Sequence, residues 1–268
     1  MLSIASVGTG SAATIPTPVC SSDRPELADE LSADINEALD GGATVSISLH
    51  DSTTNTTCTV DGDQRYDSAS TVKVTVLATL LWDTQLRNRT LTQEERERAA
   101  AMITKSDNDA TTALWRQLGD AKISAFLQAA GMTNTVADKE NYWGLTQVTA
   151  SDQERLMQLL TSENPILSSD SRAFILALMG DVVDSQRWGT PAGAPLGTKT
   201  HVKNGWLERA SNGWRVHSLG AFHAGGHNYT ITVLSQDNAT MEDGIAHIEN
   251  VARVVHNDLN AYAAGAQS

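Results

Sequence analysis

The chain has too little positive charge to suit nucleic acid or an anionic membrane surface. Nineteen lysines and arginines stand against 32 aspartates and glutamates, a formal net charge of −13. No uninterrupted apolar run reaches the roughly 20 residues that a membrane-spanning helix needs. Two cysteines, Cys20 and Cys58, are too few and too far apart for a zinc site. There is no H-E-x-x-H, no P-loop and no G-x-S-x-G. His223 and His227 flank a turn with no third ligand in view, so they call for no metal. What remains is an acidic globular chain of 268 residues, near the size of roughly 250–300 at which one core stops growing. No cofactor, nucleic acid or integral membrane segment is expected, and the chain reads as a monomer.

Residues 1–20 read as a leader or signal-derived segment. They are small, apolar and rich in Ser and Thr, and Gly10-Ser11-Ala12-Ala13 resembles a cleavage region, although no basic stretch precedes it. In an exported protein Cys20 and Cys58 would pair and tie down the N-terminus, whereas two free thiols are the plainer alternative. The expected location is secreted or cell-envelope. Asp23 and Pro25 start a helix whose Leu27, Leu31, Ile35 and Leu39 share one face, stopped by Gly41-Gly42. Alternation over residues 44–50 predicts a strand, and a turn at Asp51 to Asn55 returns a second one over 56–60.

Helical patterns run from Ser70 to about Met179, including a capping box at Thr92-Gln93-Glu94-Glu95, separate helices at about 109–119 and 120–131, and two more near 151–161 and 170–179. Residues 132–148 show no period and read as a long loop of the kind that is functional or disordered. Strands are expected at 200–203, 214–224 and 228–235, then a final helix capped from Thr240 with Ile245, Ile248, Val251, Val255 and Leu259 in one stripe. The fold class is therefore α+β: one antiparallel sheet built from both chain ends, flanked by the terminal helices, with an inserted all-helical lobe. The α/β lobe spans 21–67 and 197–268, and the helical lobe spans 68–196. A site is expected where the lobes meet.

The helix from Val72 is apolar on nearly every side, as in a helix buried all round, yet it contains Lys73. An unpaired ammonium there is costly to desolvate, and Ser70 precedes it by one helical turn. Burial and a nearby cation would push the lysine toward a usable base for the serine hydroxyl. The alternative is that Ser70 caps the helix and Lys73 snorkels to solvent.

Two further motifs fall at lobe junctions: Ser106-Asp107-Asn108 between helices, and Lys203-Asn204-Gly205 at a strand end. With Ser70-Thr71-Val72-Lys73 they give the order S-x-x-K, S-D-N, K-x-G. Over residues 21–262 the chain thereby resembles the penicillin-recognising serine hydrolases, and among them the class A β-lactamases. The resemblance implies that Ser70 is the acylated nucleophile, Lys73 its base partner and Ser106 a proton relay to the leaving nitrogen. It implies that Asn108 holds the substrate amide and that Lys203 attracts a substrate carboxylate while keeping Lys73 neutral. Asn204 and Gly205 complete the binding motif, and the main-chain N–H groups of Ser70 and Trp206 form the oxyanion hole. Trp143 and Trp206 are candidates for cleft walls, and Arg215 or His217 for a carboxylate contact or for plain core roles.

Two departures stand out. Asn204 replaces the hydroxyl residue of the family's Lys-Thr-Gly or Lys-Ser-Gly motif. The family's E-x-x-L-N loop has no counterpart in Asp138-Lys139-Glu140-Asn141-Tyr142-Trp143-Gly144-Leu145, where Glu140 is the candidate for activating water. The expected function is a serine hydrolase that forms an acyl-enzyme with a β-lactam or peptidoglycan-type amide, slow in deacylation where no base serves water. The alternatives are a non-hydrolytic penicillin-binding or interaction protein, or a DD-peptidase or esterase on the same fold.

Overall fold

A computed structural model describes residues 16–39, 42–140, 142–224 and 227–265. Most of the expected leader, including Gly10 to Ala13, lies outside the described residues, as do Gly41 of the expected helix stop and residues 225–226 of the turn that His223 and His227 flank. Helix α1, Pro25–Ala38, buries Leu27, Leu31 and Ile35 on the face that its spacing predicts. Its N-cap is Arg24 rather than Asp23. Ser22 Oγ accepts the Arg24 N–H at 3.0 Å, and Asp23 turns instead to Asn55, whose Nδ2 donates to it at 3.2 Å.

Strands β2 (Thr44–Asp51) and β3 (Thr56–Val60) form the expected hairpin. A third strand, β1 (Val19–Ser21), has no alternation to announce it and joins the free edge of β3. Cys20 lies directly opposite Cys58 in that pairing, and the two are disulfide-bonded.

The chain then makes a short strand, β4 (Tyr66–Asp67), a 3-10 turn over Ala69–Thr71 and helix α2, Val72–Leu86. All residues from Val72 through Leu81 are buried, so α2 is the axle of the helical lobe. Its Val and Leu side chains each stabilise the lobe by roughly 1.5–3 kcal/mol through burial. Around it pack α3 (Gln93–Thr104), opened by the capping box of Thr92 with Glu95, and α4 (Asn108–Ala130). The two helices expected over 109–131 are both present within α4, which is interrupted at Gly119, where φ +70° and ψ +163° are not helical and a side chain would resist them. Strand β5 (Gln147–Val148) pairs with β4, followed by α5 (Ala150–Thr161) and α6 (Ser169–Gly180).

Strands β6 (Lys199–Glu208), β7 (Trp214–Ala224) and β8 (His227–Asn238) and helix α7 (Met241–Gly265) complete the chain. The main sheet has six antiparallel strands in the order β1-β3-β2-β8-β7-β6, so both ends of the chain meet at the β2–β8 seam. One sheet face packs on α1 and α7 through Ile47, Ile231, Val233, Val251 and Val255. The other face sends Val202, Leu219, Ala221 and Leu234 into the helical core. An α5 carboxyl, Glu154, crosses this second boundary to accept hydrogen bonds from the Thr230 and Thr232 hydroxyls of β8.

Candidate active site

Ser70 sits in the 3-10 turn just ahead of α2, half-buried, with Ala69 before it at φ +46°. Several local bonds fix this turn. Thr71 Oγ1 donates to the Ser68 carbonyl at 2.7 Å, and the Ser68 N–H donates to Thr146 O at 2.9 Å. Strand β6 closes on it from the sheet side. A Cβ on Gly205 would stand 2.8 Å from Ser70 N and 2.9 Å from Thr71 N, so only glycine lets the strand approach this closely.

Lys73, one turn on, is fully buried, and its Nζ donates three hydrogen bonds. They go to Ser106 O at 2.6 Å, Ser106 Oγ at 2.9 Å and Asn108 Oδ1 at 2.8 Å. None goes to Ser70, whose Oγ has no hydrogen-bond partner among the described residues. The Ser106 geometry depends on a left-handed backbone, φ +58°, between α3 and α4. Asp107 is the N-cap of α4 and accepts the Ala110 N–H at 2.7 Å.

Lys203, also fully buried, donates to the same Ser106 Oγ at 3.1 Å and to Asn204 O at 3.0 Å. Two lysine amines thus converge on one hydroxyl, and neither is hydrogen-bonded to a carboxylate of a described residue. Loss of hydration pushes Lys73 down to about 7 against a weaker pull from Asp107. Burial, and then the charge of Lys73, holds Lys203 well below the ordinary lysine range.

The rest of the expected set divides. Asn204 faces away from the cluster: its Nδ2 donates to Gln186 O at 2.9 Å and Trp188 O at 2.8 Å, which uses both amide hydrogens. Its role in this geometry is to brace the 184–188 segment, whose Gln186 side chain reaches on to Lys105 O. Nothing in the sequence flags Gln186. The Trp206 ring meets Trp188 edge-on at 5.9 Å.

Glu140 is not brought to the cluster. It is exposed, its N–H and that of Tyr142 donate to Asp138 Oδ2, and its side chain makes no hydrogen bond or ion pair with a described residue. The residue of that loop which reaches Lys73 is Trp143. Its ring centroid lies 4.8 Å from Nζ, and its Nε1–H donates to Thr112 Oγ1 at 3.2 Å.

Arg215 and His217 both serve Asp67, the residue that leads into the Ser70 turn. Arg215 Nε lies 3.4 Å from Asp67 Oδ2, and His217 Nε2 donates to Asp67 O at 2.9 Å. The Ser235 N–H donates to His217 Nδ1 at 3.2 Å, which fixes the neutral tautomer, and burial lowers the ring to about 4. Gln147 completes the hub by donating to Asp67 Oδ1 at 2.6 Å.

The model of the Beta-lactamase enzyme family matches residues 26–96 and 94–259. A curated relative, the putative lipoprotein LppW of Mycobacterium tuberculosis (strain ATCC 25618 / H37Rv), is 26% identical over 202 residues, 73% of this chain and 64% of its own. The chain thus spans somewhat less than two thirds of the length of that relative. Among solved structures, PBP-A superposes with a TM-score of 0.76 at 22% identity, covering 88% of this chain and 97% of its own. A β-lactamase from Xanthomonas campestris pv. campestris superposes with a TM-score of 0.75 at 20% identity, covering 87% and 98%. A PBP-A point mutant held as an acyl-enzyme with penicillin G gives 0.74 at 21% identity, covering 87% and 97%. At these identities the structural likeness carries the fold.

Proposed function

The chain belongs to the β-lactamase enzyme family, a family of serine hydrolases, and we propose that Ser70 is its nucleophile, acylated by a β-lactam or a peptidoglycan-type amide. The observation that carries this reading is the convergence of Lys73 and Lys203 on Ser106 Oγ, at 2.9 and 3.1 Å, beside a serine held at a helix start. Lowered to about 7, Lys73 is partly unprotonated at neutral pH and is the base within one helical turn of Ser70.

Ser70 Oγ attacks the carbonyl carbon and its proton passes to the free amine of Lys73. Ser106 Oγ, hydrogen-bonded to both lysines, hands a proton to the leaving nitrogen as the C–N bond breaks, and is reprotonated from Lys73. An anionic substrate group brought to Lys203 would restore the charge that burial and Lys73 disfavour, and that charge would in turn oppose protonation of Lys73. Main-chain N–H groups of Ser70 and Trp206 hold the oxyanion. Asn204 is assigned to support rather than to substrate, because its amide hydrogens are engaged.

Deacylation is slow in this reading. Glu140 stands exposed and an indole ring occupies the loop's contact with Lys73, so no carboxylate of the described residues of that loop is placed to serve the water. The disulfide and the lipoprotein relative support an envelope or secreted location, and no described helix is long and apolar enough to cross a membrane.

Mixing the protein with a penicillin and following its intact mass tests the proposal. One equivalent of added mass, persisting for many minutes and absent in Ser70→Ala, is expected. Label on another serine, or none from either a penicillin or a fluorophosphonate, rejects the nucleophile. The second of these results favours a non-reacting binding protein, which the lack of a Lys73–Ser70 hydrogen bond would fit.

A further inference from the structure

We propose that Trp143 is a positioning residue for Lys73: its ring steadies the charged form of the buried amine and so governs how readily that amine is freed to act. Only the catalytic meaning of this claim rests on the acylation reading above; the coupling between ring and amine does not.

Lys73 Nζ has lost its water, and the charged groups that bear on it are few. Asp107, at the start of α4, attracts it, and Lys203, on β6, faces it across the shared Ser106 hydroxyl with its own charge disfavoured by burial and by Lys73. From the loop side Glu140 is exposed and makes no contact with it. What does face it from that side is the indole of Trp143, at 4.8 Å from the ring centroid, within the roughly 6 Å over which a ring quadrupole attracts a cation.

The ring is anchored through its N–H, and the main chain that carries it is bonded at two further points. Its N–H is bonded to Thr112 on α4, and the Trp143 carbonyl accepts from Ser68 Oγ at 3.3 Å and from the Thr146 N–H at 3.1 Å. Ser68 lies two residues before Ser70, so the same segment shapes the serine turn and covers its base. Packing alone would be served by leucine. A tryptophan with its N–H anchored and its ring turned to an ammonium supplies an electrostatic contact as well.

The test is a 13C NMR titration of protein labelled at lysine Cε. The chain has six lysines, of which Lys73 and Lys203 are fully buried, and Lys73→Met identifies the resonance. Trp143→Leu keeps apolar cover but removes the quadrupole, so the Lys73 midpoint should fall by about 0.5–1 pH unit. Trp143→Phe should recover part of that fall, because phenylalanine retains a weaker π face.

An unchanged or raised midpoint in Trp143→Leu, with a wild-type melting temperature, overturns the proposal. So does a midpoint in Trp143→Phe equal to that of Trp143→Leu. If Trp143→Leu does not fold, Trp143→Phe decides alone, and its midpoint must lie below that of the wild type.

In parallel, the acid limb of the pH profile for Ser70 acylation by a penicillin should move to lower pH by the same amount. A shifted NMR midpoint with an unmoved limb, or with no acylation at all, leaves the Trp143–Lys73 coupling standing. It rejects instead the assignment of Lys73 as the base.

Discussion

Glu154 offers a direct test of how the two lobes are joined. The carboxyl sits on α5 with 2% of the residue exposed, and it accepts from Thr230 and Thr232 of β8. Burial raises it to about 8 from an ordinary 4.5, and the two threonine hydrogen bonds only partly oppose the shift. The folded chain therefore holds this proton more tightly than the unfolded chain does. Below pH 4.5 both states are protonated and the group costs nothing. Between 4.5 and about 8 the unfolded chain ionises while the folded one does not, so stability falls as pH rises. At about 1.4 kcal/mol per pH unit the loss is about 3 kcal/mol by pH 7 and about 5 kcal/mol once both states are ionised.

Glu154→Gln is close to isosteric. Its amide can accept from one threonine hydroxyl and donate to the other, so the variant keeps the contact and loses the titration. Urea unfolding of both proteins at pH 4.5, 6, 7 and 8.5 should give equal stability at the lowest pH. A gap in favour of Gln should then open to about 3 kcal/mol at pH 7 and level off above 8. Other groups give the wild type a slope of its own. Asp258, raised to about 7 by burial and by Asp34 and Glu30, acts in the same sense, while His217 and His256, buried and lowered to about 4, act oppositely on the acid side. These contributions are common to both proteins and cancel in the difference. A gap that is constant across pH, or that favours Glu at pH 8.5, refutes the reasoning. The result also bears on the site, because α5 anchors the loop that carries Trp143. Asp152, two residues before Glu154, accepts from Asn134 N–H at 2.9 Å and Thr135 Oγ1 at 2.7 Å.

Other perturbations give equally plain expectations. Gly205→Ala places a methyl group against main-chain atoms that have nowhere to move, 2.8 Å from Ser70 N. Acylation measured by intact mass should slow by on the order of 10²-fold, as for other small misplacements at a reacting centre, and a wild-type rate would contradict the tight β6 approach. Glu140→Gln should leave both the burst of about one product per enzyme and the slow phase after it unchanged, whereas a slow phase reduced on the order of 10²–10⁴-fold would make Glu140 the base for water. Thiol titration of unfolded, unreduced protein from an oxidising compartment should find none free. Replacing Cys20 and Cys58 with serine should cost about 2–4 kcal/mol in urea unfolding, and an unchanged midpoint would mean the β1 edge is held without the bridge.

Much of this architecture is legible because the signals are local and periodic. The face of α1, the burial of α2 on all sides and the Thr92 capping box follow from spacings of three and four residues, and β2 and β3 from alternation. Strand β1 is invisible to such reasoning. It has three residues, its Val19 is 70% exposed, and what recruits it is pairing and a bridge to a residue 38 positions away. The break at Gly119 is legible, by contrast, because a glycine within a helical pattern can end one helix before the next begins, and its backbone at φ +70°, ψ +163° does so here.

The limit reached at the site is of another kind. Spacing puts Ser70 and Lys73 one turn apart, but it cannot say where a flexible amine with three donors will point. Here all three hydrogen bonds go to Ser106 and Asn108, 33 and 35 residues further along the chain. Asn204 shows the same limit from the opposite side. Its place in the K-x-G motif suggests a ligand contact, yet the amide is long enough to reach back to Gln186 and Trp188, and a buried donor takes the partners within its reach. In the 138–145 loop a carboxylate is the natural candidate and an aromatic the default core residue. Chain geometry reverses the two: Asp138 gathers the Glu140 and Tyr142 N–H groups into a tight turn, Glu140 lies exposed, and Trp143 turns in on Lys73. A motif read along the chain therefore identifies which groups are present at a site. Which of them touch depends on side-chain reach and on hydrogen-bond demands from strands and turns far away in sequence.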